Sequence, residues 1–360
     1  IGITVANING NQLGGRRNLI INGAMKVAQR GTSNTGLDGY GSVDRFYPDK
    51  NQLDNLQGTQ EQVGVTDLPG FTKAFKLDIT TAETALAADE YFTIGHRIEA
   101  QDLQQLAYGT SSAKSMTLSF HVKSSTTGTY VVSCYQADGG RLITGTYTIN
   151  SANTWEKKVI TFPGNTGVAI DNNTDQGLQF NFGLAAGSNW TSANTTSWTS
   201  YSDAGYLYGQ TANLIAQTGT FFLTGVQLEL GTEATAFEHR TFAEELRACQ
   251  RYYYRIEGNN DDVAAFGFAS SSSDNYFNIQ FPVPMRAYPT YTGSATAARF
   301  FSGNNGQDFN LDSLGYTANT THDNPIRTML YVNQGGTSTG YGGALSFQEN
   351  SGVMQFTAEI

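Results

Sequence analysis

Apolar and polar residues alternate with a period of two along much of this chain. Met116, Leu118, Phe120 and Val122 alternate with Thr117, Ser119, His121 and Lys123. The same pattern runs through Tyr130, Val132 and Cys134, through Leu178, Phe180, Phe182 and Leu184, and through Phe222, Thr224, Val226, Leu228 and Leu230. Successive side chains of an extended chain point to opposite faces, so each run predicts a strand with one apolar and one wetted side. Clusters of Gly, Asn, Ser and Thr separate the runs, and many short strands joined by such turns predict an antiparallel sandwich.

The period changes once. Phe242, Leu246, Cys249 and Tyr253 follow at spacings of four, three and four, which is a single apolar stripe on a helix. Thr241 and Glu244 form a T-x-x-E capping box in front of it, and Glu244 and Glu245 suit the positive end of the helix dipole. Two uses are open to the stripe. It packs on the sandwich of its own chain or, because the spacing also fits a supercoiled seam, it meets identical helices on a three-fold axis. With the run Tyr252, Tyr253 and Tyr254 beside it, it offers more apolar surface than one small domain needs, and we expect a parallel homotrimer.

After the helix the strand pattern resumes over 263–268 and 276–283. Pro282, Pro284 and Pro289 cannot donate to a ladder, so the second of these strands lies at an edge or stops there. Residues 302–324 are rich in Gly, Asn and Asp and read as loop, and 345–348 and 354–360 read as a closing hairpin across 349–352. A chain of 360 residues exceeds the size at which one core stops growing, roughly 250 to 300 residues. The expected organisation is all-β: a connector over 1–15, a jelly-roll β-sandwich over 16–238, a linking α-helix within 239–256, and a second, smaller β-sandwich domain over 257–360.

Composition supports strands over helices, with 40 Gly, 7 Pro and only 14 % charged residues. The net charge of −10, with no basic run longer than Arg16-Arg17 or Lys157-Lys158, argues against nucleic acid as a partner. No stretch approaches the roughly 18 apolar residues of a membrane-spanning helix, so membrane insertion is not expected. Cys134 and Cys249 fall on apolar faces and read as two buried thiols.

Candidate chemistry is sparse. His96, His121, His239 and His322 are scattered with no second ligand at metal spacing, and no nucleophile elbow, phosphate loop or dinucleotide fingerprint occurs. We therefore expect no enzyme. Cleavage of a polysaccharide would need a pair of carboxylates about 5 to 10 Å apart, and among 31 acidic residues that alternative stays open. Sugar binding needs flat apolar platforms with polar groups beside them. Residues 190–208 carry Trp190, Trp198, Tyr201, Tyr206 and Tyr208 among small polar residues and form the candidate platform, on a loop. Packing of these rings over one end of the sandwich, or on a neighbouring subunit, is the alternative. Trp155, at a strand start, reads as core.

Several segments carry a resemblance. They are N-L-I at 18–20, S-F-H-V-K-S at 119–124, N-T-W-E-K-K-V-I-T-F at 153–162, V-Q-L-E-L-G at 226–231 and the helix ending in C-Q-R-Y-Y at 249–253. In this order they resemble structural and tail-fibre (receptor-binding) proteins of tailed bacteriophages that contain a jelly roll like a carbohydrate-binding module. The resemblance implies a virion location, as a tail or capsid fibre, with other virion proteins and host cell-surface polysaccharide as partners. A purely structural virion component without ligand, such as a decoration or neck protein, and a polysaccharide depolymerase are the rival readings. The resemblance also implies a structural calcium between the first and last strands, with Glu229 and Asn22 as its candidate ligands. Read from the residues alone, Glu229 is an acid facing solvent, since no D-x-D-x-D-G loop is present.

Overall fold

The computed structural model describes residues 7–8, 11–12, 16–271, 274–293, 298–302, 307–310, 313–315, 327–333, 340, 342–347 and 352–360. Residues 1–245, with Ile360, form one compact unit and 246–359 another.

The first unit begins with a two-stranded ladder, β1 (Asn7–Ile8) and β2 (Asn11–Gln12). Its body is built from β3 (Ser33–Thr35), β4 (Tyr47–Asn51), β5 (Gln57–Gly64), β6 (Lys73–Thr81), β7 (Tyr91–Glu99), β8 (Met116–Ser124), β9 (Gly128–Gln136), β10 (Arg141–Ile149), β11 (Glu156–Phe162), β12 (Gln176–Ala186), β13 (Thr199–Ser200) and β14 (Gly219–Leu230). These make two six-stranded antiparallel sheets, in the orders β13-β10-β9-β12-β7-β4 and β11-β8-β14-β6-β5-β3. The unit is the expected jelly-roll β-sandwich. The alternating residues of β8, β9 and β12 point into one core, where Phe120 stands edge-on to Tyr147 and Phe182 at ring distances of 5.0 and 5.1 Å. Cys134 is part of that core, and Cys134 and Cys249 are both buried.

Two strand-level expectations are corrected. The alternation of β14 changes phase in the middle: Phe221, Leu223, Val226 and Leu228 are the inward residues, and the register against β8 shifts between Thr224 and Gln227. Gly225, at a φ of +61°, supplies the left-handed residue of this bulge. Phe222 therefore lies on the outer face. Trp155 is not core either. Its ring packs half-exposed against Phe222, Lys123 Nζ stands 4.9 Å from the ring centre, and its indole N–H donates to Asp67 Oδ1 at 2.9 Å.

Residues 17–22 run beside 238–245, held by side chains. The Glu238 carboxylate accepts the amides of Arg17 and Asn18 at 3.2 and 2.9 Å, Arg240 donates to the carbonyls of Asn18 and Ile20, and Glu245 accepts the Asn22 amide at 2.7 Å. Asn22 is fully buried at a φ of +61°. Its Nδ2 donates to the carbonyls of Val27 and Asp44 at 2.9 and 3.0 Å, and its Oδ1 accepts the Val27 amide at 3.0 Å. Helix α1 (Phe242–Gln250) opens on the expected capping box, in which the Thr241 amide donates to Glu244 and the Glu244 amide donates to Thr241 Oγ1 at 3.3 Å. The expected stripe is only partly an apolar face. Phe242 is 56 % exposed, Leu246 is half-buried, Cys249 is buried, and Tyr253 lies beyond the helix in the next strand.

The second unit contains β15 (Tyr253–Gly258), β16 (Val263–Ala269), β17 (Asp274–Gln280), β18 (Thr290–Gly293), β19 (Ala298–Ser302), β20 (Gln307–Asn310), β21 (Ser313–Gly315), β22 (Arg327–Asn333), β23 (Gly342–Phe347) and β24 (Gly352–Thr357). They form sheets in the orders β15-β24-β18 and β20-β19-β23-β16-β17-β22-β21, and Phe277, Ile279, Leu345, Phe347, Met354 and Phe356 share the core between them. The expected closing hairpin is absent. β23 pairs with β16 and β19 whereas β24 pairs with β15 and β18, so the two lie in different sheets. β17 lies inside its sheet and stops at Gln280, before Pro282. Within 302–324 the described residues are Ser302, the end of β19, and strands β20 and β21 rather than loop alone, and the rest of that stretch lies outside the described residues.

Candidate functional site

The sheet β13-β10-β9-β12-β7-β4 turns one face to the core and the other outward. On the outward face, cross-strand register places Gln179 of β12 between Tyr135 of β9 and Arg97 of β7, and Asn181 between Ser133 and Gly95. Gly95 pairs with Tyr47 of β4, whose ring lies across the bare backbone. A Cβ on Gly95 would stand 2.4 Å from Tyr47 Cζ, so only glycine admits the ring there. The Arg97 guanidinium stacks on that ring at 4.9 Å, and burial pushes the Tyr47 phenol up to about 12.

The segment between β12 and β14 folds back over the β9–β10 half of this face and is pinned to it. The Thr144 amide donates to the Thr195 carbonyl at 2.8 Å, Gln210 Oε1 accepts the Val131 amide at 2.9 Å, and the Tyr201 amide donates to the Gly140 carbonyl at 2.7 Å. Leu207 is fully buried in a small cluster with Val131, Leu142 and Tyr206. Covering half of the sheet leaves a cleft of about 310 Å³ along the rest. Its floor is Gln179, its walls are Tyr91, Tyr135, Trp190, Tyr201 and Tyr206, and its charged group is Asp49.

The rings hold one another in place. Tyr91 stands edge-on to Trp190 at 4.7 Å and to Tyr206 at 5.5 Å, Tyr201 is 6.1 Å from Tyr206, and Tyr135 meets Tyr201 at 5.2 Å. Such edge-to-face contacts favour a fixed arrangement. The Tyr91 hydroxyl donates to Asp49 Oδ2 at 3.1 Å, and the Tyr201 hydroxyl donates to Asp203 Oδ1 at 2.9 Å. Both arms of the Gln179 amide are used: Oε1 accepts Arg97 Nε at 3.2 Å, and Nε2 donates to Asn181 Oδ1 at 2.6 Å. Burial pushes the Asp49 carboxyl above its usual range; the Tyr91 hydrogen bond opposes this and the charge of Asp38 adds to it. The Tyr91 and Tyr201 phenols are raised, first by burial and then by the carboxylates they bond. The result is a set of fixed aromatic surfaces around one desolvated carboxylate. That combination suits a ligand with weakly polar faces and hydrogen-bonding edges.

Of the candidate platform residues, Trp190, Tyr201 and Tyr206 come together on this cleft. Trp198 does not. Its indole N–H donates to the Pro163 carbonyl at 2.7 Å, and its ring stands edge-on to Tyr108 while packing on the main core. Tyr208 is half-buried and does not line the cleft. Sequence reasoning missed Asp49, Tyr91, Tyr135 and Gln179. Tyr135 had a signal, since it occupies the wetted phase of the strand whose inward residues are Tyr130, Val132 and Cys134, where an aromatic ring is out of place. Asp49, Tyr91 and Gln179 had none.

Both candidate calcium ligands are engaged by other groups of the protein. Glu229 is 2 % exposed rather than solvent-facing, and its carboxylate accepts Gln227 Nε2 and the amide and hydroxyl of Thr235 at 2.9, 2.8 and 2.7 Å. Asn22 is occupied with Val27 and Asp44. Among the described residues no three His, Cys, Asp or Glu side chains converge as metal ligands would. The second unit has a cavity of about 460 Å³ lined by Arg255, Glu257, Asn259 and Asp262, but its polar groups bond one another: Arg255 pairs with Glu257 at 2.6 Å, and Asp262 accepts the Asn259 amide at 2.7 Å.

No family model and no curated protein matches the chain. Among solved structures, the enzymatically active domain of tailspike protein 4 of bacteriophage CBA120 aligns with 59 % of this chain at 12 % identity and a TM-score of 0.33, the match spanning 21 % of the tailspike chain. A putative sugar-binding protein from Bacteroides thetaiotaomicron aligns over 59 % of this chain and 100 % of its own, at 16 % identity and a TM-score of 0.33. The family 11 carbohydrate-binding module of a cellulosomal cellulase of Clostridium thermocellum aligns over 58 % of this chain and 98 % of its own, at 14 % identity and a TM-score of 0.29.

Proposed function

We propose that the first unit binds glycans in the aromatic cleft. We further propose that the chain is a non-enzymatic fibre or adhesin protein of a tailed-phage virion. In this reading it is a homotrimer, joined to other virion proteins, that presents the cleft to host cell-surface polysaccharide. The observation that carries the glycan reading is the mutually braced wall of Tyr91, Trp190, Tyr201 and Tyr206. Sugar rings stack their C–H faces on such surfaces while their hydroxyls find polar groups at the edge. One carboxylate, Asp49, lines the cleft, whereas glycosidic cleavage commonly uses two, which favours binding over hydrolysis. The sequence segments that resemble phage fibre proteins support the virion assignment. Modest affinity per cleft is sufficient there, because several copies engage one surface and add avidity.

The test is a glycan array followed by titration of two variants. Trp190→Ala is expected to remove a stacking face worth about 1 to 3 kcal/mol, roughly a five- to 150-fold loss of affinity, with the sandwich still folded. Trp198→Ala is expected to lower the melting temperature and leave affinity within about twofold, since that ring packs on the core. An array without a single bound glycan would leave a purely structural component, and release of reducing ends would mark a depolymerase. A monomer in sedimentation would remove the trimeric fibre.

A further inference from the structure

The charge of the cleft narrows the class of sugar, given the glycan-binding reading above. Asp49 is the one charged residue among those that line it. Oδ2 of Asp49 accepts the Tyr91 hydroxyl, and among the described residues Oδ1 has neither a hydrogen bond nor an ion pair. Arg97, whose charge reaches Asp49, is spent elsewhere: it donates to Gln179 and lies on the Tyr47 ring. On the opposite wall the Tyr201 hydroxyl is directed to a second carboxylate, Asp203. The cleft thus offers aromatic faces and a half-desolvated carboxylate oxygen that no cation pairs with directly, the charge of Arg97 reaching it only from a distance. Burying such a group without a counter-ion is unfavourable, and a bound cation removes that penalty. A sugar carboxylate, sulfate or phosphate would meet like charge at close range in a site of lowered dielectric.

We propose that the cleft selects amino sugars, seating a free ammonium group against Asp49 in preference to neutral sugars and excluding sugars that carry carboxylate, sulfate or phosphate. The experiment is an array of matched glycans that share linkage and differ only in carrying a free amine, an N-acetyl group, a hydroxyl or a carboxylate, with affinities then read from the fluorescence of the intact chain. The expected result is a free-amine glycan bound at least about tenfold more tightly than its hydroxyl and N-acetyl counterparts, and no binding of the carboxylate form. Equal or weaker binding of the amine, or any binding of the carboxylate form at comparable affinity, overturns the proposal while leaving glycan binding intact. Absence of binding to every glycan overturns both readings. In Asp49→Asn the ratio of amine to hydroxyl affinity should fall to about one, and an unchanged ratio overturns the assignment to Asp49. The matched comparison on the unaltered chain needs no variant and decides the selectivity by itself.

Discussion

Asn22→Ala is expected to lower the stability of the first unit by about 4 to 6 kcal/mol, enough to unfold many domains, whose total stability is of order 5 to 15 kcal/mol. The side chain makes three buried hydrogen bonds, to the Val27 amide and to the carbonyls of Val27 and Asp44. Leaving buried partners unsatisfied costs about 1 to 3 kcal/mol each. The φ of +61° adds about 1 kcal/mol or more for alanine, which asparagine tolerates better. Asn22→Gly should recover only the backbone part, and urea unfolding of the three proteins separates the two contributions. The same experiment addresses calcium. Chelation is expected to leave the unfolding midpoint unchanged, because the Asn22 amide is already occupied. A midpoint that falls on chelation in the parent, and not in Asn22→Ala, would return the residue to a metal site.

Leu207→Ala should cost about 2 to 5 kcal/mol locally and weaken ligand binding as well. Leu207 does not itself line the cleft but lies behind it, in the cluster on which Tyr91, Tyr135 and Trp190 pack. It is the fully buried anchor that fixes the returning segment against Val131 and Leu142, beside Tyr206. Removing it leaves a cavity beneath the wall, so Tyr206 and, through it, Trp190 and Tyr201 lose their fixed position. The expected signature is faster hydrogen exchange at the Val131 amide, which Gln210 otherwise protects, with unchanged exchange in β8. Binding that survives while the Val131 amide is deprotected would separate the wall from the ligand.

The strand faces of the first unit were legible because period-two alternation registers burial directly, as Phe120, Val132 and Phe182 illustrate. The alternation misled where a single backbone residue changes phase. Gly225 looks like any glycine in a strand, yet its left-handed φ reverses which of Phe222 and Leu223 faces inward, and with Phe222 turned out, Trp155 has a surface ring to pack on. The capping box of α1 was readable because it is local in sequence. The hairpin read near the C-terminus was wrong because strand spacing does not say which sheet a strand joins. At the site, the aromatic loop announced itself by composition, but which of its rings face the cleft depends on where the segment is pinned. Trp190 and Trp198 differ by that alone. Asp49 and Gln179 become site residues only through cross-strand neighbours more than 40 positions away, such as Tyr91, bonded to Asp49 across 42 residues.

The side-chain seam between 17–22 and 238–245 has a mechanical meaning. Its bonds follow the same order along both segments, from Arg17 and Asn18 on Glu238, through Ile20 on Arg240, to Asn22 on Glu245. The segments therefore run parallel. Tension applied at the entry and the exit of the first unit pulls them past each other, and all of these contacts share the load at once instead of parting one after another. A polymer link of this geometry yields at high force for its modest number of bonds. Force passing between the two ends of this unit would therefore load the shear clamp before any strand of the sandwich is peeled away.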